Sequence, residues 1–167
     1  MIVNKTRNTL PPPVRRKAIV VLNDTVADLF ARIKQAHWNV RGTTFIGLHK
    51  LLDEFAARTL NHIDIAAERV TALGGIVEGT LRESAKHSHL KKKEAPSSIS
   101  GMADWSHALA DVHAAAGERV RAAIKKLAAA GDFGTADLFT EVLRTLDRQL
   151  WLLEAHINRQ LTENKIK

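Results

Sequence analysis

Residues 34–75 read KQAHWNVRGTTFIGLHKLLDEFAARTLNHIDIAAERVTALGG, and they combine a long amphipathic pattern with several histidines and carboxylates. Apolar residues recur there at steps of three and four, which is the periodicity of a helix with one buried face. Thr43 and Thr44 are candidate N-caps, and a Gly-Gly pair follows the last apolar residue as a C-cap would. The pattern predicts one helix over about residues 44–73, roughly 45 Å long at 1.5 Å per residue.

Five side chains in this stretch are candidate metal ligands: His37, His49, Asp53, Asp64 and Glu68. His49 and Asp53 are four residues apart, as are Asp64 and Glu68, so each pair shares a helix face. The two pairs lie about 16 Å apart along the axis, whereas a transition metal holds its ligands at roughly 2.0–2.3 Å. One helix therefore cannot bring both pairs to one ion. Either there are two separate sites, or a two-fold axis brings the acids of a second copy to the first copy's His49 and Asp53.

His37 fits the same geometry, because a tight turn near residues 41–43 would bring its ring to the height of His49. Imidazole with carboxylate is a ligand set suited to iron or zinc. The alternative is ordinary surface charge, since acids at four-residue spacing usually lie on solvated helix faces. Unpaired charge beside an apolar stripe is costly, and this consideration favours a metal site.

The runs KQAHWNVRG, FIGLHKLLDEF and HIDIAAERVTALGG resemble the Dps family, the mini-ferritins of bacteria and archaea. The ferroxidase pattern of that family is His, His, Asp, Asp and Glu at intervals of twelve, four, eleven and four, and this sequence matches every interval. The resemblance implies that His37, His49 and Asp53 come from one subunit. It implies that Asp64 and Glu68 come from the two-fold mate.

The resemblance also implies a function: Fe(II) is bound and oxidised, preferably by hydrogen peroxide, and the ferric mineral is stored in a hollow dodecameric shell. Zinc or manganese would compete with iron at the site. Trp38 matches the family's tryptophan beside the site, as a hydrogen-bond neighbour and electron donor. Glu54 is either a nucleation residue that faces the cavity or a plain surface acid. Asp132, Asp137 and Glu141 would line a three-fold pore for Fe(II), or they compensate a helix dipole.

Periodicity elsewhere predicts an all-α, ferritin-like four-helix bundle with a long connection between the second and third helices. The other three helices are expected over about residues 14–40, 101–130 and 135–162. The connection over residues 79–96 has room for short helical turns around residues 81–86. It holds His87 and His89, which we interpret as part of a solvated basic loop rather than a metal pair. We assign residues 1–13 to a flexible basic arm, 14–163 to the bundle and 164–167 to a short tail. A Glu-x-x-His motif is absent from the sequence, so a metal site would belong at an interface.

Length and composition narrow the class of protein. A chain of 167 residues is one domain large enough for a full core. The absence of cysteine excludes disulfides and thiolate metal ligands. The longest apolar run is too short to span a membrane, and no secretion signal is visible at the N-terminus. These features predict a cytoplasmic protein.

The positive charge of the chain and of its N-terminal segment indicates a second possible class of function, nucleic-acid binding. The net charge is +7, and the first acidic residue is Asp24. Five cations precede it: Lys5, Arg7, Arg15, Arg16 and Lys17. Such an arm would neutralise DNA phosphates without sequence specificity and place the protein at the nucleoid, or it is only a solubilising tail. The alternative function is therefore a nucleoid-associated, DNA-compacting protein with a secondary metal site. A helical bundle without metal would require all five matched positions to be coincidence.

Overall fold

The computed structural model of the protein describes residues 12–90, 96 and 101–163, and side chains over 15–90, at 96 and over 101–157. Five α-helices occupy these residues: α1 (Pro12–Asn39), α2 (Phe45–Ala72), α3 (Leu81–His87), α4 (Met102–Ala129) and α5 (Phe133–Glu163). The α1–α2 and α4–α5 hairpins make the most extensive contacts, and α1 joins them by packing on α4. The predicted all-α four-helix bundle is confirmed, and the short α3 lies in its long connection.

The helix ends follow from local chemistry. Helix α1 begins at Pro12, two residues before the predicted start, because proline is tolerated in a first turn whose N–H groups have no helical partner. Helix α2 ends in a Schellman motif: Gly74 has φ of 78°, and the Gly75 N–H donates to the Val70 carbonyl at 2.8 Å. A Cβ on Gly75 would lie 2.6 Å from Val70 Cγ1, so this close approach requires glycine. The predicted Gly-Gly C-cap is confirmed.

The core lies between the four long helices, each of which buries an apolar stripe at helical spacing. Its largest fully buried apolar side chains are Ile19, Leu29, Ile33, Leu48, Leu52, Leu127, Phe139 and Leu153, with Val70 and Val120 among the smaller ones. Within the part of the chain that the structure describes, no helix is both long and apolar enough to cross a membrane.

An ion pair anchors the start of α5 to α2. Asp132 is 1% exposed, and it accepts a hydrogen bond from Arg69 Nη2 at 3.1 Å. The same carboxylate caps α5 by accepting from the Thr135 N–H at 3.2 Å and from the Thr135 hydroxyl at 2.7 Å. Arg69 Nε also donates to the Thr135 hydroxyl oxygen at 3.0 Å. A buried carboxylate that is paired and hydrogen-bonded in this way fixes the register of α5 against α2.

We expect Asp132→Ala to lower the free energy of unfolding by about 3 kcal/mol, because it leaves Arg69 without its carboxylate and removes the cap of α5. The measurement is urea unfolding followed by circular dichroism at a fixed protein concentration. Asp137→Ala is the matched control: this carboxylate is exposed near the start of the helix that Asp132 caps, and its loss should cost less than about 0.5 kcal/mol. Equal losses for the two variants would contradict the anchoring role of Asp132.

Candidate metal centre

The turn between α1 and α2 brings His37 and His49 face to face. Their rings stack with centroids 3.8 Å apart and an interplanar angle of 22°. His37 Nδ1 donates to the His49 carbonyl at 2.9 Å, and His49 Nδ1 donates to the His37 carbonyl at the same distance. A carbonyl oxygen only accepts, so each Nδ1 carries a proton, and the neutral form of each ring has its lone pair on Nε2. Both Nε2 atoms are therefore available as metal ligands.

Asp53 lies one turn after His49, and its carboxylate lies beside the imidazoles. Its Oδ1 is 3.9 Å from His37 Nε2 and 2.9 Å from Lys34 Nζ, which donates to it from α1. The hydrogen bond and charge of Lys34 hold the pKa of the Asp53 carboxyl below its usual range. The Asp53 side chain is 63% exposed, so the group is an ionised carboxylate that faces outward with a cation as its present partner.

The second acid pair lies further along the same helix. Asp64 and Glu68 are exposed on α2, which runs without a break from Phe45 to Ala72. The 16 Å axial separation from Asp53, about eleven residues at 1.5 Å each, therefore holds in the folded chain. Among the residues that the structure describes, no group of three or more histidine or acidic side chains is arranged to hold a metal ion. The described part of one subunit therefore holds no complete metal site, and the candidate ligands are divided between the histidine end of α2 and a second position further along it.

Large apolar side chains are exposed around these ligand candidates. Trp38 is 70% exposed next to His37, Phe45 stands edge-on to the His49 ring, and Leu60 is 53% exposed between Asp53 and Asp64. Apolar residues grouped on one surface are typical of an interface between proteins. Leu60 shares a face of α2 with Asp53, because the two are separated by two helical turns. Lys34 Nζ, which donates to Asp53, lies 5.9 Å from the centre of the Trp38 ring.

Comparisons with known proteins agree with this fold. The sequence profile of the ferritin-like domain family matches residues 21–161. A relative from Agrobacterium fabrum named DNA protection during starvation protein is 41% identical over 163 residues, which cover 96% of this chain and 99% of the relative. This chain belongs to the Dps family. Its fold is similar to that of DpsC from Streptomyces coelicolor, with a TM-score of 0.85, 30% identity, and 93% and 91% of the two chains covered. Dps from Microbacterium arborescens in the high iron form matches with a TM-score of 0.83, 29% identity, and 93% and 99% coverage.

The acids that the Dps resemblance assigns to a pore do not lie in equivalent surroundings. Asp132 is buried and bound to Arg69 and Thr135, whereas Asp137 is exposed on α5. Glu141 lines a cavity of about 200 Å³ between α2 and α5, together with Glu54. In the structure, Glu54 and Glu141 line the same pocket. The pore and nucleation roles stay predictions.

The cations of the predicted DNA-binding arm also divide into groups. Lys5 and Arg7 lie outside the described residues. Arg15, Arg16 and Lys17 belong to α1, where Arg15 is only 3% exposed and Lys17 is exposed. The side chain of Arg15 is therefore directed into this subunit instead of toward a phosphate backbone.

The expectation of a solvated loop is wrong for His87, because α3 carries this residue onto α1. His87 Nδ1 lies 3.4 Å from Asp24 Oδ2 and 3.8 Å from Glu83 Oε2. Burial raises the pKa of the Asp24 carboxyl, and His87 opposes that shift. His89 is exposed, as predicted for the loop.

Sequence reasoning missed Lys34 as part of the site, although it lies three residues before His37. The spacing from Lys34 to His37 places both near one face of α1, but the contact with Asp53 depends on how α2 folds back. Periodicity within one helix carries no signal for that contact.

Replacing Lys34 by Met should raise the pKa of Asp53 toward its ordinary value, because the variant removes the hydrogen bond and the charge that depress it. A pH titration of ¹³C-labelled aspartate carboxylates measures the shift, with the Asp53 signal assigned by its loss in Asp53→Asn. The Lys34–Asp53 pair adds to the free energy of unfolding at pH values above the pKa that Asp53 has in the unfolded chain. This contribution is lost as the pH falls through the lowered pKa of Asp53 in the folded protein.

Lys50→Met is the matched control for this titration. Lys50 is an exposed lysine on α2, three residues before Asp53, and it makes no described ion pair. The Asp53 pKa should change little in this variant. A similar upward shift in both variants would mean that general surface charge, not the Lys34 contact, depresses the Asp53 pKa.

Proposed function

We propose that this Dps-family chain binds and oxidises Fe(II) at sites shared by two subunits and stores the ferric product inside a closed, dodecameric shell. The observation that carries the proposal is the division of the ligand candidates on one rigid hairpin. His37, His49 and Asp53 supply half of a coordination sphere, and the acids that would complete it lie about 16 Å along the same helix.

A two-fold axis supplies the missing half without any new element. When two α2 helices lie antiparallel, Asp64 and Glu68 of each copy reach the histidine end of the other, because an isologous contact pairs each position reciprocally. Two identical sites result. The exposed Trp38 and Leu60 lie on the face that this contact would cover, which supports the arrangement.

The donor set suits iron as a substrate. Imidazole nitrogen with carboxylate oxygen binds Fe(II), and zinc and manganese are the competitors that the same donors would accept. In the proposed step two Fe(II) ions each lose one electron, and hydrogen peroxide with two protons takes up both electrons and becomes two waters. The chain's own contribution is to hold both imidazole Nε2 atoms and an ionised Asp53 toward the ion. Lys34 must release the Asp53 carboxylate as the ion binds, so the iron ion takes the place of the lysine ammonium group.

Other residues have proposed supporting roles. Trp38, which follows His37 in the sequence, is the candidate electron donor, and Lys34 Nζ lies 5.9 Å from the centre of its ring. Asp137 stays the candidate for the iron-entry pore, because it is an exposed acid near the start of α5. Glu54 is the candidate nucleation residue.

A mixed assembly tests whether the site is shared. One chain carries His37→Ala, His49→Ala and Asp53→Ala, and the other carries Asp64→Ala and Glu68→Ala. Each variant alone should be nearly inactive in peroxide-dependent oxidation of Fe(II), followed by ferric absorbance. Random co-refolding makes about half of the dimers mixed, and each mixed dimer has one complete site of two. About a quarter of wild-type activity should therefore return if the sites act independently.

The control is a mixture of the two variants that are refolded separately and then combined, which should stay inactive because assembled shells do not exchange subunits. Size-exclusion chromatography establishes that each preparation is assembled. Intact mixed shells without recovered activity would show that each ligand set belongs to a single chain, and the shared site would then be wrong.

DNA protection is the second proposed function, and two observations favour it. The net charge is +7, and the relatives from Agrobacterium fabrum and Brevibacillus brevis are both named for DNA protection during starvation. Cations repeated on every subunit of an oligomer would add many weak phosphate contacts into one strong attachment.

Deleting residues 1–11 should weaken a duplex-DNA gel shift and flatten its dependence on salt, because Lys5 and Arg7 are lost from every subunit while α1 stays whole. The comparison variant, Arg16→Ala with Lys17→Ala, keeps the arm and removes two cations near the start of α1 that are less buried than Arg15. If the gel shift is unchanged after the deletion but weaker in the α1 variant, the DNA contact belongs to the helix and not to the arm.

A further inference from the structure

A small cavity between α2 and α5 has no part in the proposed iron chemistry of the histidine pair. It measures about 200 Å³. Its lining is mostly charged or polar, and it consists of Glu54, Phe55 and Arg58 from α2 with Glu141, Arg144, Thr145, Arg148 and Gln149 from α5. Three arginine side chains therefore line one indentation.

These three arginines differ from other arginines of the bundle. Arg32, Arg69 and Arg121 each hold an aspartate at 2.6–3.1 Å. Among the described ion pairs, none includes a guanidinium of the cavity. Arg144 and Arg148 are four residues apart on α5, where like charges repel. A bound anion would offset this repulsion, and the forked guanidinium matches the geometry of an oxyanion.

The two carboxylates of the cavity limit the kind of anion that fits. Three arginines against Glu54 and Glu141 leave one net positive charge. A long polyanion such as DNA would place further phosphates against these carboxylates, whereas a single small oxyanion needs to contact only the guanidinium groups. The volume equals roughly seven waters at about 30 Å³ each, which gives room for one tetrahedral oxyanion and a few waters.

Thr145 adds a neutral donor to the arginines. Its hydroxyl lies 3.0 Å from His62 Nε2. When His62 Nε2 carries a proton, it donates to the Thr145 oxygen and leaves the hydroxyl proton free to donate into the cavity.

We propose that the cavity formed by Arg58, Arg144 and Arg148 is a binding site for inorganic phosphate. Arg144 and Arg148 hold the oxyanion from α5, Arg58 closes on it from α2, and the Thr145 hydroxyl donates to a remaining oxygen. The site is separate from the proposed iron site, and its occupancy can be measured without iron.

The test uses assembled, iron-free protein and isothermal titration with inorganic phosphate at low chloride concentration. One phosphate per chain is expected. The double variant Arg144→Gln with Arg148→Gln should weaken binding by about tenfold or more, because it removes two charge-assisted contacts. Arg82→Gln is the matched control, since Arg82 is an exposed arginine on α3 away from the cavity. The phosphate affinity of this variant should stay within about twofold of wild type.

Further variants separate loss of binding from loss of folding. Arg58→Gln removes a guanidinium from the other helix and should weaken binding while circular dichroism and assembly stay unchanged. Arg144→Lys with Arg148→Lys keeps the charge and should retain part of the affinity. Wild-type protein that binds no phosphate, or a double variant that binds as tightly as wild type, overturns the proposal. It is also overturned if duplex DNA displaces the phosphate and the double variant loses its gel shift, because the arginines would then form a DNA surface.

Discussion

The rigidity of a continuous α-helix is the constraint on which the rest of this molecule depends. Because α2 runs from Phe45 to Ala72 without a break, its side chains are held at fixed distances that no local adjustment can shorten. Two pairs of candidate ligands about 16 Å apart must therefore find their partners outside the helix. One pair finds His37 across a tight turn, and the other faces outward.

Charge placement within the subunit follows the same division. The buried carboxylate of Asp132 is satisfied inside the chain by Arg69 and Thr135, so it stabilises the bundle. The carboxylate of Asp53 is mostly exposed and is paired with a single flexible lysine, so its contact costs little to exchange. The difference in burial separates an acid with a structural role from one suited to a ligand role.

Much of the fold could be predicted because helices are local. The bounds of all four long helices agree with the apolar periodicity to within about two residues, and the Gly-Gly end of α2 follows from the left-handed conformation that Gly74 adopts. The metal ligand candidates could be found for the same reason, because four of them lie on one helix. Contacts between different helices could not be predicted from the periodicity of the sequence. The pairing of Lys34 with Asp53, the burial of Arg15 and the convergence of Glu54 with Glu141 depend on how separate helices pack. Sequence spacing does not encode those distances.

The histidine pair has a consequence for the order of events during synthesis. Both rings and Asp53 lie within seventeen consecutive residues, 37 to 53, and their mutual contacts need only the first hairpin. A nascent chain can form this hairpin before α4 and α5 have left the ribosome, because contacts between neighbouring helices close the shortest loops. In the proposed two-fold arrangement, the outward-facing acids gain a partner only when a second finished chain docks. Under the proposed arrangement, newly made subunits would therefore be inactive until they pair. Oxidation of iron by peroxide would then begin only in assembling oligomers, whose interior can store the ferric product.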